Sequence, residues 1–234
     1  MSADDDAATG ARGGSAAGDP WITGVGMTRF VGESDASLRE LLEAAALAAL
    51  DDAGVDPGGL DALFVGNMAA EAFSRRSGLA NVLAGSLGAD GASARRVENT
   101  SASGASAVES AVRALRAGEA ERALVVGGER MSTASTARTT EIVSRITHRR
   151  EYEQGVTLPG FAGLAADAYL DRYDAGRRDL ARIAVKNHRN GSANPFAHFQ
   201  NRVSVDDVVS SPSIADPLTL YDCCPTTDGA AALV

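Results

Sequence analysis

The sequence predicts an α/β fold: a mostly parallel sheet covered by helices on both faces, with an excursion of helices and loops inserted late in the chain. Three observations predict it. Short apolar runs bounded by glycine alternate with helix-length amphipathic segments, reading β-α-β-α-β-α-β as far as residue 131. The helical segments carry recognisable start and stop residues. The connections are long enough for crossover helices, so consecutive strands are expected to run parallel.

Taken in order, residues 1–19 are mostly Ala, Gly, Ser and Asp with no apolar stretch, and are expected to be a disordered acidic tail, not a signal peptide. Trp21 to Val25 reads as the first strand. Gly24-Val-Gly26 opens like a dinucleotide fingerprint, but Arg29 stands in the place of the third glycine and the next helix begins only near Leu38, so that reading fails. Ser37-Leu-Arg-Glu40 is a capping box opening a helix with Leu38, Leu41, Leu42, Ala45 and Ala49 on its buried side, and Gly54 stops it. Leu63 to Val65 is a buried strand ending at Gly66 and Asn67. Arg76 to Leu87 reads as the next helix, stopped at Gly88.

Ser93 to Val97 is a strand, followed by a cluster of small hydroxyl residues and then a helix. Ala105, Val108, Val112 and Leu115 are expected to form the apolar stripe of that helix, which Gly118 closes. Ala123 to Val126 is a further strand, leading into Gly127-Gly-Glu-Arg-Met131. Ser132 to Thr140 reads as a loop. Helices are expected over 161–173 and 178–190, with a short one starting at Ser204-Val-Asp-Asp207. Asp228 to Val234 reads as a strand entering the core, without a polar tail after it, as in a piece of a longer protein. The expected organisation is therefore a tail over 1–19, an α/β core over 20–131, a loop domain acting as a lid over 132–217, and a return to the core over 218–234.

Composition excludes several function classes. A net charge of -9 over 234 residues argues against a nucleic-acid partner. No apolar run approaches a membrane span, so no membrane partner is expected and the cytoplasm is the default location. Lys186 is the only lysine, set against many arginines and carboxylates; that balance suits a salt-rich cytoplasm, where repulsion is screened, and equally a GC-rich genome. Cys223 and Cys224 are adjacent, an arrangement that rarely forms a disulfide, and a packing role beside Pro225 is expected for them. His148, His188 and His198 have no metal-ligand spacing, so no metal is expected.

The candidate site is the turn between residues 97 and 103. A residue there projects from a strand end, and its N–H lies near the unpaired donors of a helix N-terminus, where negative charge on a carbonyl oxygen is stabilised. Ser101 in that place suits an acyl-accepting nucleophile. On pattern alone an N-cap is the commoner role for such a residue. Arg145, Arg149 and Arg150 are candidates to meet the phosphates of a bulky anionic ligand, or are simply solvated charges.

Val97-Glu-Asn-Thr-Ser-Ala-Ser-Gly104 resembles the nucleophile segment of the thiolase superfamily, Asn-x-Cys-Ala-Ser-Gly, with Ser101 where that family carries its acyl-accepting cysteine. Val126-Gly-Gly-Glu-Arg-Met-Ser132 resembles the strand and loop that come next in the family. Lys186-Asn-His188, Asn194-Pro195, Ala215-Asp-Pro-Leu218 and Asp222-Cys-Cys-Pro-Thr-Thr-Asp-Gly-Ala-Ala231 resemble its sterol-carrier-protein-type and archaeal branch.

The resemblance implies a thiolase-like layered fold, here the first of two similar halves with a five-stranded sheet and an inserted loop domain that helps bind coenzyme A. It implies acyl transfer through Ser101, whose N–H serves as an oxyanion donor. Coenzyme A enters as substrate and product, with no permanently bound cofactor. The implied partners are acyl-CoA, further copies of the chain as a homodimer or tetramer, and a small OB-fold subunit.

The family's Gly-His-Pro histidine, its second His- or Asn-bearing motif and its Cys-x-Gly segment do not occur in these 234 residues, so the chain by itself is expected to be inactive. Serine at position 101 leaves three readings: a serine-using thiolase, an inactive or regulatory paralogue, or a Cys→Ser trap. The competing functions are a β-ketothiolase, a non-catalytic acyl-CoA-binding scaffold, and a serine hydrolase. The last is disfavoured because Asn99 and Ser103 flank Ser101 where a nucleophile elbow needs glycines.

Overall fold

The computed structural model describes residues 19–234, so the expected tail lies, except for Asp19, outside the described residues. The core is a five-stranded sheet built from β1 (Val25–Met27), β2 (Ala62–Gly66), β3 (Ser93–Val97), β4 (Ala123–Glu129) and β7 (Gly229–Leu233), in the order β1-β7-β4-β2-β3. β2, β3 and β4 pair in parallel, while β7 is antiparallel to both its neighbours. The sheet is thus mostly parallel, and its last strand in sequence inserts between the first and the fourth.

Helix α1 (Leu38–Ala53) begins at the expected capping box and ends at Gly54 in the left-handed conformation, with Leu38, Leu41, Leu42, Ala45 and Ala49 all buried. It shares one face of the sheet with α3 (Leu79–Leu87). Burying each such leucine side chain contributes about 1.5–3 kcal/mol. Helix α4 (Ser103–Arg116) covers the other face over β2, β3 and β4.

The first strand is shifted from its expected place. Trp21 and Ile22 are exposed, the strand begins at Val25 opposite Leu233, and Thr23 and Gly24 hydrogen-bond to Val234 just before it. Gly24 and Gly26 have a packing reason instead of a phosphate-binding one. A Cβ on Gly26 would fall inside the backbone of Ala45 and Ala49, so α1 lies in backbone contact with β1. Gly26→Ala is expected to cost about 3 kcal/mol or more, since backbone must shift to admit it. A chemical denaturation midpoint unchanged from the parent would contradict this packing account.

The helix expected over 76–87 is shorter, α3 alone, because its N-cap Gly78 (φ 64) holds a left-handed backbone that cannot continue a helix; a separate short helix, α2 (Ala70–Phe73), precedes it across Arg75 (φ 51). The stripe expected to bury α4 is also corrected. The buried line is Ser103, Ala107, Ala111 and Ala114, while Ala105 is exposed and Val108, Val112 and Leu115 are half-buried. Small residues win this face because α4 lies close on the sheet. A Cβ on Gly66 would meet the Ser103 carbonyl oxygen at 2.8 Å. The larger side chains therefore border a partly open apolar face that continues to Val25 and Met27, which are 56% and 42% exposed.

The inserted block is mostly helical: α5 (Thr136–Ser144), α6 (Arg149–Glu153), α7 (Leu158–Tyr173), α8 (Arg177–Gly191) and α9 (Val205–Ser210), followed by a short ladder of β5 (Ser213–Ala215) and β6 (Leu218–Thr219). The loop expected over 132–140 contains the first turn of α5, since Ser135 caps it by accepting from the Arg138 N–H. Residues 218–222 pack with α8 and α9, and the chain re-enters the core sheet at Gly229. Among the described residues no helix is long and apolar enough to cross a membrane, and no group of His, Cys, Asp or Glu is placed to hold a metal.

Candidate functional site

The site is built where β2, β3 and β4 end. Ser101 sits in the turn joining β3 to α4, exposed, with no hydrogen bond to its hydroxyl or to its N–H among the described residues. It does not cap the helix: the N-cap position is Ala102, which has no side-chain oxygen. The capping alternative is thereby excluded for Ser101.

The hydroxyl that fastens the turn belongs to Ser103. Its Oγ accepts from the Asn99 N–H at 2.9 Å and donates to the Thr100 carbonyl at 2.7 Å, and Ser103 is 5% exposed. Asn99 is held again through Nδ2 to Ser106 Oγ, 2.9 Å. Thr100 takes φ 47, a left-handed conformation uncommon outside glycine. Its N–H donates to Glu98 Oε1 at 2.6 Å, and its carbonyl accepts from both the N–H and the Oγ–H of Ser103. These contacts turn the chain sharply, so that residue 101 stands clear of the strand.

Beneath the turn, the strand ends are tied together by polar groups. Asn67, 2% exposed, donates from Nδ2 to the Gly128 carbonyl and accepts at Oδ1 from the Ala70 N–H, linking β4 to the start of α2. Arg96 of β3 donates to the Asn67 and Met68 carbonyls and pairs with Glu71.

Glu129, the last residue of β4, accepts from the Ala69 N–H through Oε2, while its Oε1 is shielded and has no partner among the described residues. Burial pushes its carboxyl above the ordinary range, against the opposing effect of the Ala69 N–H. A raised folded-state value means that its contribution to stability is fully present below the ordinary carboxylate range and is lost as pH rises through the raised value. Glu129→Gln is therefore expected to flatten the stability profile over the pH range just above the ordinary carboxylate value of 4.5. Urea melts across that window that retain the parental slope would rule it out.

Asp228 was legible as the start of a strand and as part of the family-like Asp222–Ala231 segment, but not as what it is, the most engaged carboxylate of the core. It is 0% exposed. Oδ1 accepts from the Met131 and Ser132 N–H groups, and Oδ2 from the Ser34 N–H and Ser132 Oγ–H. Arg130 Nε stands 4.0 Å away. The sequence signals were an aspartate immediately before a small-residue strand and its place in that segment, neither of which shows its four donors.

The three predicted arginines are not drawn into one cluster. Arg145 ends α5 and pairs with Glu141 at 2.5 Å, and Arg149 pairs with Glu153 at 2.6 Å, both at i,i+4 spacing and largely exposed. Arg150 is exposed and forms no ion pair among the described residues. Cys223 is half-buried and Cys224 exposed, both as free thiols; burial and the Asp222 charge push the Cys223 thiol up, away from a reactive thiolate. His188 and His198 flank Phe199 in a stack, away from Ser101's contacts.

A mixed, mostly parallel sheet with helices on both faces and a sharp strand–turn–helix at the ends of its parallel strands defines a layered α/β protein. The chain belongs to the thiolase family: residues 21–234 match the family described as Thiolase, N-terminal domain. It is 37% identical over 216 residues to the acetyl-CoA acetyltransferase of Methanothermobacter thermautotrophicus, a match covering 92% of this chain and 56% of that protein. It is 31% identical to sterol carrier protein 2 of Homo sapiens over 225 residues, covering 92% and 40%. Among solved structures, the Ltp2-ChsH2(DUF35) aldolase superposes with TM-score 0.72 at 25% identity, covering 91% of this chain and 54% of that one. The chain spans about half the length of the relatives it matches.

Proposed function

We propose that this chain supplies the acyl-accepting half of a β-ketothiolase, an acyl-CoA C-acyltransferase that forms or cleaves 3-ketoacyl-CoA. The observation that carries the reading is Ser101: exposed, with neither its hydroxyl nor its N–H hydrogen-bonded among the described residues, and held at the strand end by Thr100 and Ser103. Ser101 Oγ attacks the thioester carbonyl, its proton passes to a base, an O–C bond forms, and the C–S bond breaks to release CoA as the thiol. The Ser101 N–H stabilises the oxyanion formed on the way.

Among the described residues no histidine or carboxylate hydrogen-bonds the Ser101 hydroxyl, so the base is assigned to the part of the relatives that lies beyond the matched half. The partly open apolar face along α4 and β1 supports a second α/β layer docking there. Coenzyme A is substrate and product, without a resident cofactor. Arg145, Arg149 and Arg150 are assigned to its phosphates, with Arg150 the one not already paired. Residues 132–217 act as the lid. The two components named in the Ltp2-ChsH2(DUF35) aldolase support a partner subunit alongside copies of this chain, and a cytoplasmic setting suits the substrate.

Turnover of acetoacetyl-CoA with free CoA by the full-length protein is the test. Cleavage supports the reading, whereas binding without cleavage supports the non-catalytic alternative that serine at 101 raises.

A further inference from the structure

A second region of the chain, lined by neither Ser101 nor Arg145, Arg149 or Arg150, has the chemistry of an anion site. A cavity of about 640 Å³ opens between the N-terminus of α1, the α2–α3 connection and the segment after β4. That volume is ordinary for a small-molecule site. Arg39, Arg75, Arg76 and Arg130 all line it, and no carboxylate does. In a chain of net charge -9 such a concentration of guanidinium groups runs against the overall balance.

Two of the four are committed elsewhere. Arg39 pairs with Glu43, and Arg130 donates to the Ser34 carbonyl at 2.7 Å. Arg75 and Arg76 are exposed and form no ion pair among the described residues.

Three further observations point to a missing ligand. Ser74 Oγ, on a lining residue, is shielded from solvent with no hydrogen-bond partner among the described residues, and such a group is costly unless something satisfies it, whereas Arg130 Nε faces Asp228 at 4.0 Å. Arg75 is held at φ 51, and a non-glycine residue kept in that region is a strain that collects at ligand sites. The nine-residue helix α3 follows Gly78 with no side-chain cap, so its first amides lack a side-chain partner, and its first residue, Leu79, lines the cavity. The opposite wall is apolar, formed by Phe73, Leu79 and Val82.

We propose that this cavity binds an organic phosphate, its phosphate held by Arg75, Arg76, Ser74 and the α3 N-terminus and its apolar body resting on Phe73, Leu79 and Val82. Guanidinium forks match phosphate oxygens in pairs. Neither the acyl-transfer reading nor the family match assigns a role to these residues, and the inference stands without that reading.

The experiment is calorimetric titration of the full chain with pyrophosphate and with ADP at low ionic strength, repeated in the double variant Arg75→Gly, Arg76→Ala and in the triple variant Arg145→Ala, Arg149→Ala, Arg150→Ala. Tighter binding of ADP than of pyrophosphate reports an organic phosphate, while equal affinity narrows the ligand to the phosphate group alone and overturns the assigned apolar subsite. The double variant is expected to weaken both by about tenfold or more, and the triple variant to leave binding at this cavity intact. Arg75→Gly alone keeps the fold, because glycine adopts the left-handed backbone freely, and its ligand-free melting temperature is expected to equal or exceed the parent's. Pyrophosphate then raises the melting temperature of the parent but not of the double variant. No binding at millimolar ligand, or equal binding by parent and double variant, overturns the proposal.

Discussion

Asp228→Ala is expected to lower the unfolding free energy of this chain by about 3–5 kcal/mol, the largest stability effect of any single substitution considered. The carboxylate is 0% exposed and accepts from four donors, three of them backbone N–H groups at Ser34, Met131 and Ser132. Truncation strands all four without water to replace it. Those donors come from the segment before α1 and the segment after β4, so the loss is felt where the inserted β7 joins the two.

Asp228→Asn discriminates the cause. It keeps the volume but leaves one carbonyl oxygen in place of two acceptors, so at least one pair of donors loses its partner, and a loss of about 2 kcal/mol or more is expected. Ser132→Ala removes only the 2.6 Å hydroxyl contact and should cost about 1 kcal/mol. Guanidinium denaturation of the three variants checks the order. An alanine variant within about 1 kcal/mol of the parent would mean that the carboxylate is not what joins these segments.

Ser101→Ala carries the largest expected effect on function. If Ser101 accepts the acyl group, alanine removes the only atom that forms the bond, and acyl transfer by the full-length protein should fall by about 10³-fold or more. Incubation with radiolabelled acetyl-CoA, followed by denaturation, should leave label on the parent and none on Ser101→Ala. The fold should be unaffected, because Ser103 and not Ser101 holds the turn.

Ser101→Cys adds a second readout. A thiol yields its nucleophilic form nearer neutral pH, and a thioester is a better acyl donor than an oxygen ester, so this variant is expected to gain in carbon–carbon bond formation. Label that persists in the alanine variant would remove Ser101 as the acyl carrier. Ser103→Ala, by contrast, is expected to lower both stability and transfer, since it releases the Asn99 N–H and the Thr100 carbonyl together.

Much of the fold was legible in order along the chain. The Ser37–Glu40 capping box and the glycines at 54, 88 and 118 marked helix ends by local chemistry, and all of them stand where expected. The strand over 93–97 was visible although it is rich in arginine, because the hydroxyl cluster and helix start directly after it left little else for it to be.

The misreadings share a cause. The Val108–Val112–Leu115 stripe was chosen by hydrophobicity, but the face of α4 that meets the sheet is set by how near the backbones come, and closeness selects serine and alanine. The helix expected over 76–87 runs across Gly78, whose left-handed backbone is set by the packed loop and not by a local pattern. Ser101 and Ser103 are alike in sequence. Only the turn's hydrogen bonds make one a fastener and leave the other free.

By itself the sequence determined the alternation of strands and helices, the α/β class, the turn that carries Ser101 and the family to which that turn belongs, because periodicity, caps and short motifs act over a few residues. The tertiary structure alone decided the insertion of β7 between β1 and β4, the burial of Asp228 among four donors, and the meeting of Arg39, Arg75, Arg76 and Arg130 around one cavity. Those depend on groups far apart in the chain, brought together by backbone pairing and close packing that no local pattern encodes.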